Sequence, residues 1–243
     1  MADRTYVPLW VKSNHSFLEG ASHPEELVDR AHALGLPALA LTDRDGVYGV
    51  VKAWGRSKEL GDAGPRPIVG AEVSVRREVI AAPPTDPAGG WSGPERAWRS
   101  ASGHVPDPVS ERGGGRPAGV LRSRVGVLPV ILLAASREGY GRLCRLLTTA
   151  HARATEKGEA RTSEDERRDA RSAPGLLALA PDAALLEALS DVPRERVWAL
   201  VTRHLCPESA ETERALRASA RRLGVRTVAA TEVLYHQRAR QPL

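Results

Sequence analysis

The sequence predicts an α/β protein in which parallel strands alternate with helices and curl into a closed or nearly closed barrel. Two observations carry this. Short apolar stretches are each followed by stretches with apolar residues three and four apart, about seven times along the 243 residues. Polar and charged residues gather just after the apolar stretches, where a barrel of this kind displays its functional groups.

The first strand is expected at "YVPLWV" and the first helix at "HPEELVDRAHALG". Ser22 is the expected N-cap, Pro24 suits the first turn, and Glu25 is expected to complete a capping box. Gly35 is placed to stop that helix. "PALALT" is the second strand, bounded by Pro37 and Asp43. "YGVVKAWGRSKELG" reads as the second helix, closed by Gly61. "RPIVGAEVSV" is the third strand, and its Gly70 marks a bend or a close backbone approach.

The pattern then breaks. Between Arg76 and Arg124 there are eight Gly and seven Pro in 49 residues, and neither a helical nor a strand period survives. Residues 78–124 are expected to form a disordered insertion within a single domain covering 1–243, with Trp91 and Trp98 either docked or stray. Order resumes at the buried strand "VLPVILLAAS", followed by the amphipathic helix "REGYGRLCRLLTTAHARA", on which Cys144 is a packing residue. "TEKGEARTSEDERRDARS" is a solvated, charged face. The strands "PGLLALAP" and "RVWALVT" flank the short helix "DAALLEAL". The helix "SAETERALRASARRLG" leads into the last strand, "VRTVAAT".

Composition excludes several classes. With 42% hydrophobic and 27% charged residues the chain is of the soluble globular type. Aromatics are only 4%, so Leu, Val and Ala must fill the core. Two cysteines without a CxxC spacing argue against a disulfide framework or a zinc ribbon. No apolar run approaches the ~18 residues of a membrane span, and "MADRTYVPLW" lacks the apolar stretch of a signal peptide. A cytoplasmic setting is the expectation. The net charge is +5, but eight Arg against five acidic residues between Arg76 and Arg124 account for +3 of it. The remainder is only mildly basic, so DNA binding is compatible with the charge and weakly supported by it.

The polar groups after the strands are Lys12, Asn14, His15 and Glu19; Asp43, Arg44 and Asp45; Glu72; His204; and Glu232 and His236. Carboxylates converging on one mouth need a cation, either a metal or a side chain. Bland readings stand beside the functional ones. His15 is a ligand or a solvated loop residue, and His236 lies at the rim or on the surface. His23 belongs to the helix N-terminus, His204 is a site residue or structural, and Asp43 and Asp45 are site residues or turn formers.

The stretch "SNHSFLEGASHPEELVDRAHALGLPALALTDRDGVYGVV" resembles the polymerase and histidinol phosphatase (PHP) domain. More narrowly, it is similar to the N-terminal domain of bacterial C-family DNA polymerase III α subunits, especially the error-prone branch. "PIVGAEV", "ILLAASREGYGRLCRLLTTAH" and "RRLGVRTVAATEVLYHQRARQPL" continue the likeness in order. The resemblance implies a distorted (β/α)7 TIM-like barrel. It also implies a site of up to three metal ions that hydrolyses phosphoesters in active members, is a 3′–5′ exonuclease in some polymerases, and is lost in others.

Carried onto this chain, the family's His-x-His pair falls on Trp10 and Lys12, and the acid before glycine on Glu19. Asp43 is retained, the next histidine is Arg44, and the Gly-Ala-Glu acid is Glu72. A strand-opening histidine falls on Pro129, the Asn-Asp pair on Thr231 and Glu232, and the last histidine on Leu234. Imidazoles are missing and carboxylates remain. Indole has no lone pair for a metal and guanidinium stays protonated. The expectation is therefore a degenerate metal site with no cofactor, in which Lys12 and Arg44 stand among Glu19, Asp43, Glu72 and Glu232. The chain would be a structural or interaction module in DNA replication or translesion repair, with a C-family polymerase body or other replication and repair proteins as partners. The alternative is a Zn²⁺- or Mn²⁺-dependent phosphoesterase or 3′–5′ exonuclease using His15, Glu19, Asp43, Glu72, Glu232 and His236. "QRARQPL" falls where the family's barrel would hand over to the polymerase body, so nucleotide transfer by this chain alone is not expected.

Overall fold

A computed structural model describes residues 6–76, 127–152, 174–203 and 207–240. The expected insertion at 78–124, the charged run at 155–172 and His204 lie outside the described residues.

The helices are α1 (Pro24–Ala33), α2 (Val50–Glu59), α3 (Arg137–Ala152), α4 (Ala183–Ala188) and α5 (Pro207–Leu223). The strands are β1 (Ala38–Leu41), β2 (Arg66–Arg76), β3 (Val127–Ala134), β4 (Leu176–Ala180), β5 (Val197–Val201) and β6 (Arg226–Ala229). They form one curled sheet in sequence order. The pairs β1–β2, β4–β5 and β5–β6 are parallel, as expected.

Two expectations are corrected. β3 runs antiparallel to both β2 and β4. Antiparallel neighbours need no helical crossover, and among the described residues no helix stands between β2 and β3. "YVPLWV" is not a strand in its own right. Only Val11 pairs, by single parallel bridges to Leu41 on one side and Val233 on the other. Pro8 within this stretch has no N–H to donate to a ladder.

The apolar runs of the strands are explained by burial on both faces. Ala71, Val73 and Val75 of β2, with Val130 and Leu132 of β3, face one layer. That layer also holds Leu143 of α3, Leu185 of α4 and Leu216 of α5. Alternate residues, Ile131, Leu133, Leu179 and Leu200, face the concave side with Trp10. A third cluster joins Val11 and β1 to α1 and α2 through Leu27, Val28, Leu39, Leu41 and Ala53.

Gly35, at φ +67°, ends α1, its N–H donating to the His32 carbonyl at 2.9 Å while Leu36 N–H reaches Ala31 at 3.0 Å. The start of α1 differs from expectation. The N-cap is His23, and its N–H donates to Glu26 Oε2 at 2.8 Å, so Glu26 rather than Glu25 closes the cap. Ser22 is already engaged, because its Oγ accepts the His236 N–H at 2.9 Å. Among the described residues no helix is long and apolar enough to cross a membrane.

Gly70 fits because β3 passes over it. A Cβ there would lie 2.7 Å from the Leu132 carbonyl oxygen and 2.9 Å from Thr42 Cγ2. Since a ladder carbonyl cannot step aside, Gly70→Ala is expected to lower stability by about 1–3 kcal/mol. Urea denaturation of the purified variant measures it.

Candidate functional site

Residues 10–12 enter the mouth of the curled sheet in extended form. Lys12 N–H donates to Val233 O and Val233 N–H to Trp10 O, both at 2.9 Å, while Thr42 N–H reaches Val11 O at 2.8 Å. Alternation then sends Val11 toward α1 and turns Trp10 and Lys12 inward.

Lys12 is 3% exposed, and its ammonium has three carboxylate neighbours. Nζ lies 2.9 Å from Glu19 Oε2, 2.8 Å from Glu72 Oε2 and 2.7 Å from Glu232 Oε1. Three donors thus meet three acceptors. The same Glu72 oxygen accepts the Trp10 indole N–H at 2.7 Å. Arg44 pairs with the other oxygen of Glu19. Burial alone would pull the Lys12 ammonium down, but Glu72, Glu232 and Glu19 together outweigh it and hold the group well above its ordinary value. Burial pushes Glu72 up, with Lys12 pulling against it.

Asp43 differs from the expected arrangement. Its carboxylate faces neither cation; it accepts Ser13 N–H at 2.7 Å, Ser13 Oγ–H at 2.8 and 2.9 Å, and Ser16 Oγ–H at 2.8 Å. Ser16 Oγ in turn accepts Arg44 N–H at 3.0 Å. Asp43 therefore organises the loop 13–20 that delivers Glu19. That loop is tight: a Cβ on Gly20 would lie 1.9 Å from the Ser13 carbonyl oxygen. Asp45, buried at φ +50°, accepts Ser74 N–H and Oγ–H, and its carbonyl meets His151 Nε2 at 2.6 Å.

The histidines do not join the cluster. His236 Nδ1 lies 2.8 Å from Ser22 Oγ and 3.7 Å from Glu26, at the start of α1. His15 stands beside Tyr48, ring centroids 6.4 Å apart, and its Nε2 is buried without a hydrogen-bond partner. Pro129 lies opposite Ser74 on β3, and Leu234 contributes its carbonyl to Ala21 N–H at 2.7 Å. The Ser13 and Ser16 donors are absent from the sequence reading, although two hydroxyls three residues apart opposite a buried acid could have pointed to them.

Glu19, Glu72 and Glu232 would suit a hard cation by donor type. Their facing oxygens, however, already share one protonated amine at hydrogen-bond distance. A divalent ion there would sit against a fixed positive charge, with no imidazole at positions 10, 12, 44 or 234 to hold it. The residues present do not fit a multinuclear metal centre.

The cluster is thus a buried ion network at the mouth of a curled six-stranded sheet. A solved structure from Bifidobacterium adolescentis, assigned as a metal-dependent phosphoesterase, superposes with a TM-score of 0.55 over 97% of this chain and 89% of its own, at 12% identity. The PHP domain profile matches residues 9–198, and the chain belongs to the PHP domain family. Among curated relatives, an error-prone DNA polymerase of Anaeromyxobacter dehalogenans is 38% identical over 98% of this chain. One from Mycolicibacterium paratuberculosis is 35% identical over 93%. The chain spans only 17% and 18% of those two relatives.

Proposed function

We propose that this PHP domain is a metal-free structural and interaction module associated with error-prone DNA synthesis, in which Lys12 and Arg44 neutralise acids that would otherwise need divalent ions. The single observation behind this reading is the Lys12 ammonium, held by Glu19, Glu72 and Glu232 within 2.9 Å. The association with replication and translesion repair, and a C-family polymerase body as partner, rest on the names of the curated relatives. Val11, bridging Leu41 of β1 on one side and Val233, four residues beyond β6, on the other, supports reading the fold as a distorted seven-stranded barrel closed at that residue. Glu232 supports taking 1–243 as one domain, since a residue beyond 198 completes the ion network.

The test is metal response. Protein treated with chelator and then given Zn²⁺ or Mn²⁺ is expected to keep its Tm, because a ligand that does not bind the fold cannot stabilise it. A metal-dependent rise in Tm, together with Mn²⁺-dependent release of nucleotides from a DNA 3′ end that is lost in Glu72→Ala, would support the phosphoesterase or 3′–5′ exonuclease reading instead.

Trp10 offers a second check on the network. Trp10→Phe keeps most of the ring but removes the indole N–H donated to buried Glu72. A stability loss of about 1–3 kcal/mol is expected, the range for a hydrogen bond to a charged group left unmade, measured by urea denaturation.

A further inference from the structure

We infer that the outward face of α2, with the turn before it, is a docking surface for single-stranded DNA. One side of α2 packs inward through Ala53. The other carries Tyr48 (60% exposed), Val51 (80%), Trp54 (52%) and Lys58 along one stripe, with Lys52 on its flank. Spacings of three and four residues align them. His15 packs beside Tyr48, which brings the loop bearing exposed Phe17 alongside the stripe. Gly55 lies on the same side, where a Cβ would meet nothing within 4 Å. Gly55 therefore puts no side chain beside Trp54 to block a flat ligand from that side.

The charge pattern selects the occupant. Lys52 and Lys58 have no ion-pair partner among the described residues, and Lys58 Nζ rests 5.4 Å from the Trp54 ring centroid. Two nearby acids, Asp29 and Glu59, are both taken by Arg56, which leaves exposed Asp62, one turn beyond Lys58, at the far end of the stripe. Protein interfaces deplete lysine from their apolar centres. Stacking rings interleaved with free lysines fit bases and phosphates of a single strand. Ten residues of helix give about 15 Å, the length of about four stacked nucleotides. This inference does not depend on the metal-free reading of the Lys12 cluster.

The experiment is fluorescence anisotropy of a labelled oligo-deoxythymidine titrated with the full chain at several salt concentrations. Binding is expected to fall as salt rises. Trp54→Ala is expected to weaken it about tenfold, the scale of one lost stacking contact. Lys52→Gln and Lys58→Gln are each expected to flatten the salt dependence by roughly 0.7 in log–log slope. Tyr140→Ala, an exposed aromatic on α3, is the control and should bind as the parent does. The substituted side chains are exposed, and circular dichroism checks that each variant is folded. Four results would overturn the inference: no binding, an equal loss in Tyr140→Ala, equal affinity for a duplex of the same sequence, or an α2 face that instead holds two copies together in sedimentation and releases them in Trp54→Ala.

Discussion

Lys12→Met is expected to destabilise the fold by about 3–5 kcal/mol, the cost of leaving a buried charge without its partner. In the parent, one ammonium serves Glu19, Glu72 and Glu232. In the variant, Arg44 still reaches Glu19, but Glu72 and Glu232 face each other with only the Trp10 N–H to help. The pH dependence separates this from a simple packing defect. Lys12 is held above its ordinary 10.5 in the folded protein, so its contribution is present in full below that value and is lost only as pH rises through the folded-state value. Glu72 is raised too, above 4.5, but by burial, which disfavours its charged form. Without Lys12 the folded variant binds that proton still more tightly than the unfolded chain does, so acidification toward 4.5 stabilises it relative to neutral pH. The gap between parent and variant should therefore narrow in mild acid and persist at pH 9. Urea midpoints across that range measure it; a gap that does not change with pH would point to packing alone.

Asp43→Ala is expected to cost about 3–4 kcal/mol by a different route. Its carboxylate is 1% exposed and satisfies the Ser13 amide and the hydroxyls of Ser13 and Ser16. Each hydrogen bond to a charged group contributes about 1.5–3 kcal/mol, and the abandoned donors are buried. The loop 13–20 should open first, carrying Glu19 away from Lys12 and Arg44. Limited proteolysis is the readout: cleavage near exposed Phe17 and Leu18 should quicken more than cleavage elsewhere. Asp43→Asn keeps one acceptor oxygen and should fall between parent and Ala variant.

Much of this was legible in the sequence because it is written locally. Gly35 and Gly61 stop their helices with positive φ, as single residues of that type do. Gly70 meets β3 as closely as its place in a strand suggested. Lys12, Glu19 and Glu232 each follow a strand or a strand-like segment, Glu72 lies within β2 rather than after it, and the curl of the sheet gathers them. Strand direction was not legible. An apolar run such as "VLPVILLA" carries no sign of whether it runs up or down, and only its partners decide. The start of α1 escaped for a related reason: Ser22 is a good cap by type, but it answers to His236, 214 residues away. Asp43 was placed with the cations because the family resemblance carried it to the metal site, whereas two nearby hydroxyls and an amide satisfy it.

The seam between residues 10–26 and 232–240 sets a timetable for the nascent polypeptide. Trp10, Lys12, Ala21, Ser22 and Glu26 each find a partner among Glu232, Val233, Leu234, His236 and Arg240. While the ribosome is still making the middle of the protein, the opening segment has nothing to zip against at that edge, and such long-range pairings are slow to form. Trimming of residues 232–240 is therefore expected to slow refolding as well as to lower equilibrium stability, because Glu232 leaves Lys12 with it.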